Sequence, residues 1–190
     1  FGYLKRPTPR NDTVEQAKFE VLNHKYTDLS ESNYGVAILN DSKYAISAYG
    51  GQLRLSLHKG GNRPDHEGDH GKHYCEYSLL PHNGGFSADT VIAPAYNLNY
   101  KPVCACGAKE LDSLVASSKS NVIVETVKAC EDAENAFIIR AYEAEGGRTT
   151  AKLSLGFTPK AVCLTNMLEE VQQELNASAD IELTFRPFEI

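Results

Sequence analysis

Apolar and polar residues alternate along much of the chain. The clearest run is 52–58, where Leu53, Leu55 and Leu57 fall on one face and polar residues on the other. Strict alternation over several residues is typical of a half-buried strand. The same pattern, or a short apolar β-branched run, predicts strands over residues 17–26, 34–39, 43–49, 52–58, 73–80, 114–117, 122–127, 137–142, 149–157, 161–165 and 181–190.

Two turns join the strands between residues 34 and 58. The first is Asn40-Asp41-Ser42, because Asn and Asp side chains hydrogen-bond their own backbone and tolerate left-handed dihedrals. The second is Gly50-Gly51, since glycine reaches positive φ without steric cost. We therefore predict an antiparallel meander with one buried face. The residues expected on core faces are Leu53, Leu55, Leu57, Val122, Val124, Leu153, Leu155 and Phe185.

Two stretches depart from the alternating pattern. Residues 89–98 are mixed and contain Pro94, which favours an edge or bulged strand there. Residues 166–177 place Met167, Leu168, Val171 and Leu175 at spacings of three and four, which indicates helical character. With about ten short strands between turns, the whole pattern still predicts an all-β protein with an antiparallel β-sandwich.

Composition narrows the classes of partner. The 190 residues carry a formal net charge of −6 with acidic and basic residues interspersed, which argues against a nucleic acid or an anionic membrane as partner. No apolar run approaches the length of a membrane span, and no signal peptide opens the sequence. The five cysteines are odd in number and lack a disulfide framework, so we predict mostly reduced thiols.

The loop 65–73 is the densest group of metal-ligand residue types. Asp65, His66, Glu67, Asp69, His70 and His73 lie within nine residues. Histidines and carboxylates at such spacing can bind a divalent metal. The surrounding glycines leave these side chains without a fixed scaffold, so we predict that the loop binds no metal tightly.

The turn after residue 39 is the candidate substrate-binding site. Asn40, Asp41 and Lys43 can hydrogen-bond sugar hydroxyls, although the same residues can simply build the turn. Tyr44, Tyr49 and Tyr96 are candidate stacking platforms for a sugar ring, and equally suit a half-buried strand face. No Ser-His-Asp or Cys-His frame and no phosphate-binding glycine loop is present in the sequence, so no catalytic residue is assigned.

A set of ordered motifs resembles the C-terminal β-domain of family 38 α-mannosidases of the cytosolic and vacuolar class. The resemblance covers nearly the whole chain and departs from the family pattern at Tyr26, where Trp is usual, and at Ala45, where Gly is usual. The motifs are RPTPRN at 6–11, AKFEV at 17–21, HKYTDLSE at 24–31, LNDSKY at 39–44, GKH at 71–73, YSLLPH at 77–82, VETVK at 124–128, RAYEA at 140–144 and LTFRPF at 183–188.

The resemblance implies a role as well as a fold. Residues 1–190 would be a segment of a larger β-sandwich region, cut at both ends, and the family pattern favours a hairpin insertion over 166–177. The family's catalytic zinc motif of the H-x-H-x-D type is missing and there is no Trp. The implied function is a non-catalytic structural β-domain of an enzyme that hydrolyses α-mannosides, with no cofactor in this chain and zinc in the parent catalytic domain.

Several alternatives remain open from the sequence. The chain can instead be a stand-alone lectin-like module that binds mannose, or a proteolytic fragment that binds a second chain carrying the catalytic half. The expected partners are the remainder of the α-mannosidase or further copies of this chain, with mannosides as small-molecule ligands. The implied compartment is cytoplasmic or vacuolar, and secretion is the alternative because three glycosylation sequons occur, beginning at Asn11, Asn40 and Asn176.

Overall fold

The computed structural model describes residues 1–107 and 112–190, and the chain divides into two compact units. One unit is Lys5–Cys104, and the other combines Phe1–Leu4 with Ala105–Ile190. Antiparallel strands dominate both units, which confirms the predicted all-β class. Within the described ranges, no helix is long and apolar enough to cross a membrane.

The unit Lys5–Cys104 contains two three-stranded antiparallel sheets and two short helices. The sheets have the strand orders β1-β4-β5 and β2-β3-β6. The elements are α1 (Thr13–Ala17), β1 (Val21–Leu22), β2 (Tyr26–Ser30), β3 (Tyr34–Asn40), β4 (Ala45–Tyr49), β5 (Gln52–Ser56), β6 (Tyr77–Asn83), a π-helical turn (Ala88–Ile92) and α2 (Ala93–Asn99).

The predicted three-stranded meander is wrong in one respect. The hairpin β4-β5 forms as expected around Gly50-Gly51, but β3 pairs with β2 and β6 in the other sheet. The turn after Asn40 therefore moves the chain between sheets instead of closing a hairpin. Leu53 and Leu55 are half-buried, whereas Leu57 lies beyond the end of β5 and is 42% exposed, so its predicted core position is wrong.

Two further strand predictions in this unit need correction. The predicted strand 17–26 is not continuous. Its first residue is the last of α1, which Asp12 caps by accepting a hydrogen bond from the Glu15 N–H. Val21–Leu22 forms the short strand β1, and Tyr26 already begins β2 in the other sheet. Phe19 is 58% exposed. The strand predicted over 73–80 is β6, which spans Tyr77–Asn83 and so lies a few residues further along the chain.

Residues 89–98 are helical, not an edge strand. Ala88, Val91, Ile92 and Ala95 are all buried, and their spacing of three or four is that of one helix face. Pro94 lies in the first turn of α2, where a missing N–H removes no helical hydrogen bond. The proline that indicated an interrupted strand is thus compatible with the start of a helix.

This helical segment covers one face of the sheet β2-β3-β6. Ala37 and Leu39 of β3 pack with Val91 and Ala95, and together they form a core cluster of the unit. The partly buried residues around this cluster are Tyr26, Leu80, Phe86 and Leu98. Contact of a sheet face with an amphipathic helix buries the apolar side chains of both.

A buried His–Asp pair crosses the same sheet. His82 Nε2 in β6 donates to Asp28 Oδ1 in β2 at 2.8 Å, and both side chains are almost completely buried. Gly35 of β3 pairs with both His82 and Ser30, and a Cβ there would lie 2.4 Å from the imidazole. Glycine is therefore required in the middle strand so that the imidazole can reach across it.

The second unit is a two-layer β-sandwich. Its strands are β7 (Val115–Ser117), β8 (Val122–Ala129), β9 (Phe137–Glu143), β10 (Thr149–Leu155), β11 (Val162–Thr165), β12 (Val171–Leu175) and β13 (Asp180–Phe185). The sheet β13-β10-β7 packs against the ladder β8-β9 through a cluster that contains Val122, Ala151, Leu153 and Phe185. The predicted core positions of Val122, Leu153 and Phe185 are confirmed, and Val124 and Leu155 are half-buried.

Residues 166–177 form part of a hairpin, so the helical alternative is wrong. Strands β11 and β12 pair antiparallel, with a bulge near Thr165. Lys128 Nζ lies 2.6 Å from Glu169 Oε1 at the hairpin turn, and this contact, helped by the Glu131 N–H, lowers the pKa of Glu169 to about 2. The turn is held by polar contacts while the apolar side chains Met167 and Leu168 stay exposed.

The sandwich unit is built around one buried carboxylate. Glu143, at the end of β9, is 0% exposed. Its Oε1 accepts from Asn121 Nδ2 at 3.0 Å and from the Glu145 N–H at 2.9 Å. Its Oε2 accepts from the N–H groups of Gly146, Gly147 and Phe188 at 2.8, 3.0 and 3.1 Å. The carboxylate therefore joins the β9-β10 turn to the tail that follows β13.

Aromatic contacts complete this junction. The Phe188 ring packs edge-on against Tyr3, with ring centroids 5.5 Å apart. A Cβ on Gly2 or on Gly146 would lie 2.8 Å from the Phe188 ring, and both glycines have positive φ. The ring and the carboxylate thus fix the two chain ends of this unit beside one turn.

The Glu143 carboxylate makes the stability of this unit dependent on pH. Burial alone raises the pKa of Glu143, but the N–H donors of Phe188, Glu145 and Gly146 and the Asn121 amide outweigh it and hold the pKa below its ordinary value. A lowered folded-state pKa contributes stability that is present above the unfolded-state pKa. That stability is lost as the pH falls through the folded-state pKa.

We predict that Glu143→Gln lowers the free energy of unfolding by about 3 kcal/mol at pH 7, because an amide cannot accept from all five donors. The difference from the wild-type chain should shrink as the pH falls below about 4.5. Urea unfolding of the full chain across this pH range measures both effects. Exposed Glu134→Gln is the matched control, and equal losses in the two variants would contradict the role of Glu143.

Candidate functional site

The three predicted binding residues Asn40, Asp41 and Lys43 lie in one turn but in different environments. Asn40 is 1% exposed, and its Oδ1 accepts from the Lys43 N–H at 2.8 Å. The Asn40 main-chain carbonyl accepts from Asn99 Nδ2 at 3.1 Å. Its own Nδ2 has no hydrogen-bond partner in the described part of the chain. Asn40 thus shapes the turn from inside the unit.

Asp41 ties the turn to the segment before β6. Its Oδ1 accepts from the Glu76 N–H at 3.0 Å and from Ser42 Oγ at 2.7 Å. These two bonds, the one from Glu76 first, lower the pKa of Asp41 although the side chain is exposed. Both contacts favour the ionised carboxylate, and they direct it at the turn and at the segment before β6. Sugar binding by Asn40 and Asp41 stays a prediction.

Lys43 lines a cleft of about 370 Å³ within the unit Lys5–Cys104. We refer to it as the β4-β5 cleft, because residues around the start of β4 and the end of β5 line it. The ten residues that line it are Glu20, Lys43, Tyr44, Ala45, Ser56, Leu57, His58, Lys59, Asp69 and His73.

Three of the lining residues, Tyr44, Ala45 and Leu57, are aromatic or aliphatic, and we call them the floor of the cleft. Tyr44 is 51% exposed, and Leu57 is partly exposed beside it. His24 packs against the Tyr44 ring with a centroid separation of 4.7 Å. The histidine supports the ring and leaves part of its surface open to the cleft.

The other lining residues, which we call the rim, are polar and carry both signs of charge. His58 and His73 are in ring contact, with centroids 4.6 Å apart. His73 Nε2 donates to the Asp69 main-chain carbonyl at 2.8 Å, a bond that does not involve the Asp69 carboxylate. The Glu20 carboxylate accepts a hydrogen bond from the Ser56 hydroxyl.

The sequence contained a signal for part of this site. A two-residue turn at Gly50-Gly51 fixes the register of the hairpin, and the observed pairs include Ala45 with Ser56. Continuing that register one position places Tyr44 beside Leu57. Glu20 and the loop residues Asp69 and His73 reach the cleft through tertiary contacts that no local pattern predicts.

The other two candidate stacking rings, Tyr49 and Tyr96, each contact a cationic side chain. Arg10 lies over the Tyr49 ring at 4.4 Å, and Lys25 lies 4.5 Å from the centroid of Tyr96. These cation–π contacts occupy one face of each ring. Within residues 1–107 and 112–190, no group of three or more His, Cys, Asp or Glu side chains is placed to hold a metal ion.

Comparison with known proteins finds two matches to one family of glycosyl hydrolases. Residues 1–67 match the glycosyl hydrolases family 38 C-terminal domain, and residues 121–190 match the family 38 C-terminal beta sandwich domain. Together the two matched segments cover 137 of the 190 residues. The two matched segments fall largely in the two structural units, and the second is the sandwich built around Glu143.

Similar proteins carry the name α-mannosidase. Alpha-mannosidase G of Dictyostelium discoideum, an alpha-mannosidase of Saccharomyces cerevisiae and human alpha-mannosidase 2C1 are each 36% identical to this chain over its whole length. The chain spans only about a fifth of these relatives, 18% to 20% of their length.

A solved structure supports the fold. The crystal structure of a family 38 protein from Enterococcus faecalis matches 90% of this chain and 22% of its own, with a TM-score of 0.68 and 19% identity. At that identity the likeness concerns the fold alone.

We predict that Asn40→Ala lowers the free energy of unfolding by about 1–2 kcal/mol, because the buried turn loses the acceptor for the Lys43 N–H. Urea unfolding of the full chain measures the change. Exposed Asn33→Ala is the control. Equal stability of the two variants would show that the Asn40 side chain is not needed for the turn.

Proposed function

We propose that this chain is the non-catalytic structural C-terminal β-sandwich segment of an α-mannosidase, an enzyme that hydrolyses α-mannosides. The observation that carries the proposal is the similarity to named α-mannosidases along the entire chain, which makes up about a fifth of each relative. In this proposal the catalytic domain lies in the remainder of the polypeptide.

The buried carboxylates of this chain support a structural role. Retaining glycoside hydrolysis uses two carboxyl groups about 5–5.5 Å apart that face a substrate. Glu143 is enclosed by five N–H donors, and Asp28 is enclosed with His82. Each carboxylate already stabilises its own unit, and neither is open to a sugar.

We propose that the zinc ion of the α-mannosidase is bound by the part of the enzyme outside this chain. A catalytic zinc site uses about three protein ligands of the His, Asp, Glu or Cys type. The described residues bring no such group together. In this proposal zinc binds in the parent catalytic domain, and this chain carries no cofactor.

The surface supports association with the remainder of the enzyme. Large apolar side chains are exposed throughout the described residues, among them Leu22, Leu79, Leu168 and Val171. Apolar side chains of a segment that packs inside a larger enzyme are exposed when that segment stands alone. We propose the remainder of the α-mannosidase as the partner that covers them, with self-association through the same residues as the competing outcome.

The proposed compartment is cytoplasmic or vacuolar. All five cysteines are unpaired in the structure, and Cys104, Cys106 and Cys163 are exposed. Exposed unpaired thiols suit a reducing environment better than the secretory route. The cytoplasm fits this observation more closely than secretion does.

A lectin-like role is the second candidate function. The β4-β5 cleft favours it, because the cleft joins an exposed aromatic ring to polar side chains of both charges. Sugar-binding sites commonly combine these two features. The structural role and sugar binding can coexist in one chain.

We predict that purified chain 1–190 does not hydrolyse 4-nitrophenyl α-mannoside. The whole enzyme should hydrolyse it, lose activity on zinc chelation and recover when zinc is restored. Steady-state assays of both proteins at equal molar concentration test this. Turnover by the chain alone that chelation abolishes would overturn the proposal. So would full activity of the whole enzyme after deletion of residues 1–190 of this numbering.

A further inference from the structure

We infer that the β4-β5 cleft binds one ring of a neutral, hydroxyl-rich saccharide, with Tyr44 as the stacking surface. The inference rests on the second candidate function and names its site and ligand class. The cleft has a volume of about 370 Å³. Small-molecule sites span about 300–1,000 Å³, so a single sugar ring is a suitable occupant.

The floor of the cleft suits the apolar face of a sugar ring. A pyranose presents C–H groups on one face, and these pack well on an aromatic ring. Tyr44 provides such a ring, about half exposed and supported by His24 at 4.7 Å. Ala45 and Leu57 extend the apolar floor.

The rim favours a neutral ligand over an anion. Glu20 and Asp69 supply two carboxylates, and Lys43 and Lys59 supply two ammonium groups. The carboxylates accept hydrogen bonds from sugar hydroxyls and the lysines donate to them. Because the formal charges of these four groups balance, the cleft offers no net attraction to a phosphate or carboxylate group.

Local hydrogen bonds position the parts of the cleft. The Lys43 backbone is fixed by Asn40, and the hairpin register aligns the ends of β4 and β5. His73 is fixed by its bond to the Asp69 carbonyl. A Cβ on Gly60 would lie 3.0 Å from His58 Nε2, so the loop approaches the imidazole closely. Such preorganisation reduces the entropy lost on binding.

The test is a titration of the full chain with methyl α-mannoside and with an α-linked mannobiose, followed by two-dimensional NMR. We expect saturable shifts at Tyr44, Lys43 and His58 with concentrations up to about 50 mM, as for a weak single-ring site. Tyr44→Ala should weaken binding by roughly tenfold, since it removes the stacking surface. Tyr34→Ala is the control, because Tyr34 is similarly exposed and does not line the cleft.

A second variant keeps the test valid if Tyr44→Ala disturbs folding. Asp69→Asn leaves the main-chain bond to His73 intact and should weaken binding by about threefold. Mannose 6-phosphate should bind no more tightly than methyl α-mannoside.

Three results would overturn the inference: no saturable shifts in the wild-type chain, unchanged affinity in both Tyr44→Ala and Asp69→Asn, or tighter binding of mannose 6-phosphate. None of these results concerns whether the chain hydrolyses α-mannosides. Disproof of saccharide binding in the cleft can therefore be distinguished from disproof of the proposed structural role.

Discussion

A charged group can be buried without a counter-ion only when hydrogen-bond donors replace the water it has lost. Glu143 meets this requirement with five N–H donors drawn from Asn121, the β9-β10 turn and Phe188. Those donors come from segments far apart in sequence, so the carboxylate is satisfied only when the strands and the tail are all in place. The sandwich unit is therefore cooperative around one acidic side chain.

Buried polar groups also hold separate segments together in the unit Lys5–Cys104. Asn40 fixes the turn that moves the chain between sheets, and the pair formed by His82 and Asp28 links three strands across Gly35. Apolar packing against the helical segment supplies most of the burial, but it specifies register only loosely. The polar contacts define which strands lie side by side.

Strand alternation predicted the fold class and most strands from sequence, because period-2 patterns record which face is buried. It failed at residues 89–98, where Pro94 lies in a first helical turn, and at 166–177, where helical spacing occurs in an exposed hairpin. It also missed Glu143 as a central residue, since an acidic side chain near a Gly-Gly turn normally indicates surface. Within the candidate site, hairpin register could identify Tyr44 and Leu57, whereas Glu20 and Asp69 depend on tertiary folding.

We propose that this chain is a structural part of a larger α-mannosidase, and that the remainder of the enzyme covers apolar side chains that the chain alone exposes. Hydroxyl-radical labelling with mass spectrometry tests it directly when chain 1–190 and the whole enzyme are compared at equal dose. We expect strong protection in the whole enzyme for several of Leu22, Leu79, Met167 and Leu168. Buried Leu153 should be protected in both proteins. Equal labelling of all four exposed side chains in the two proteins would contradict the account.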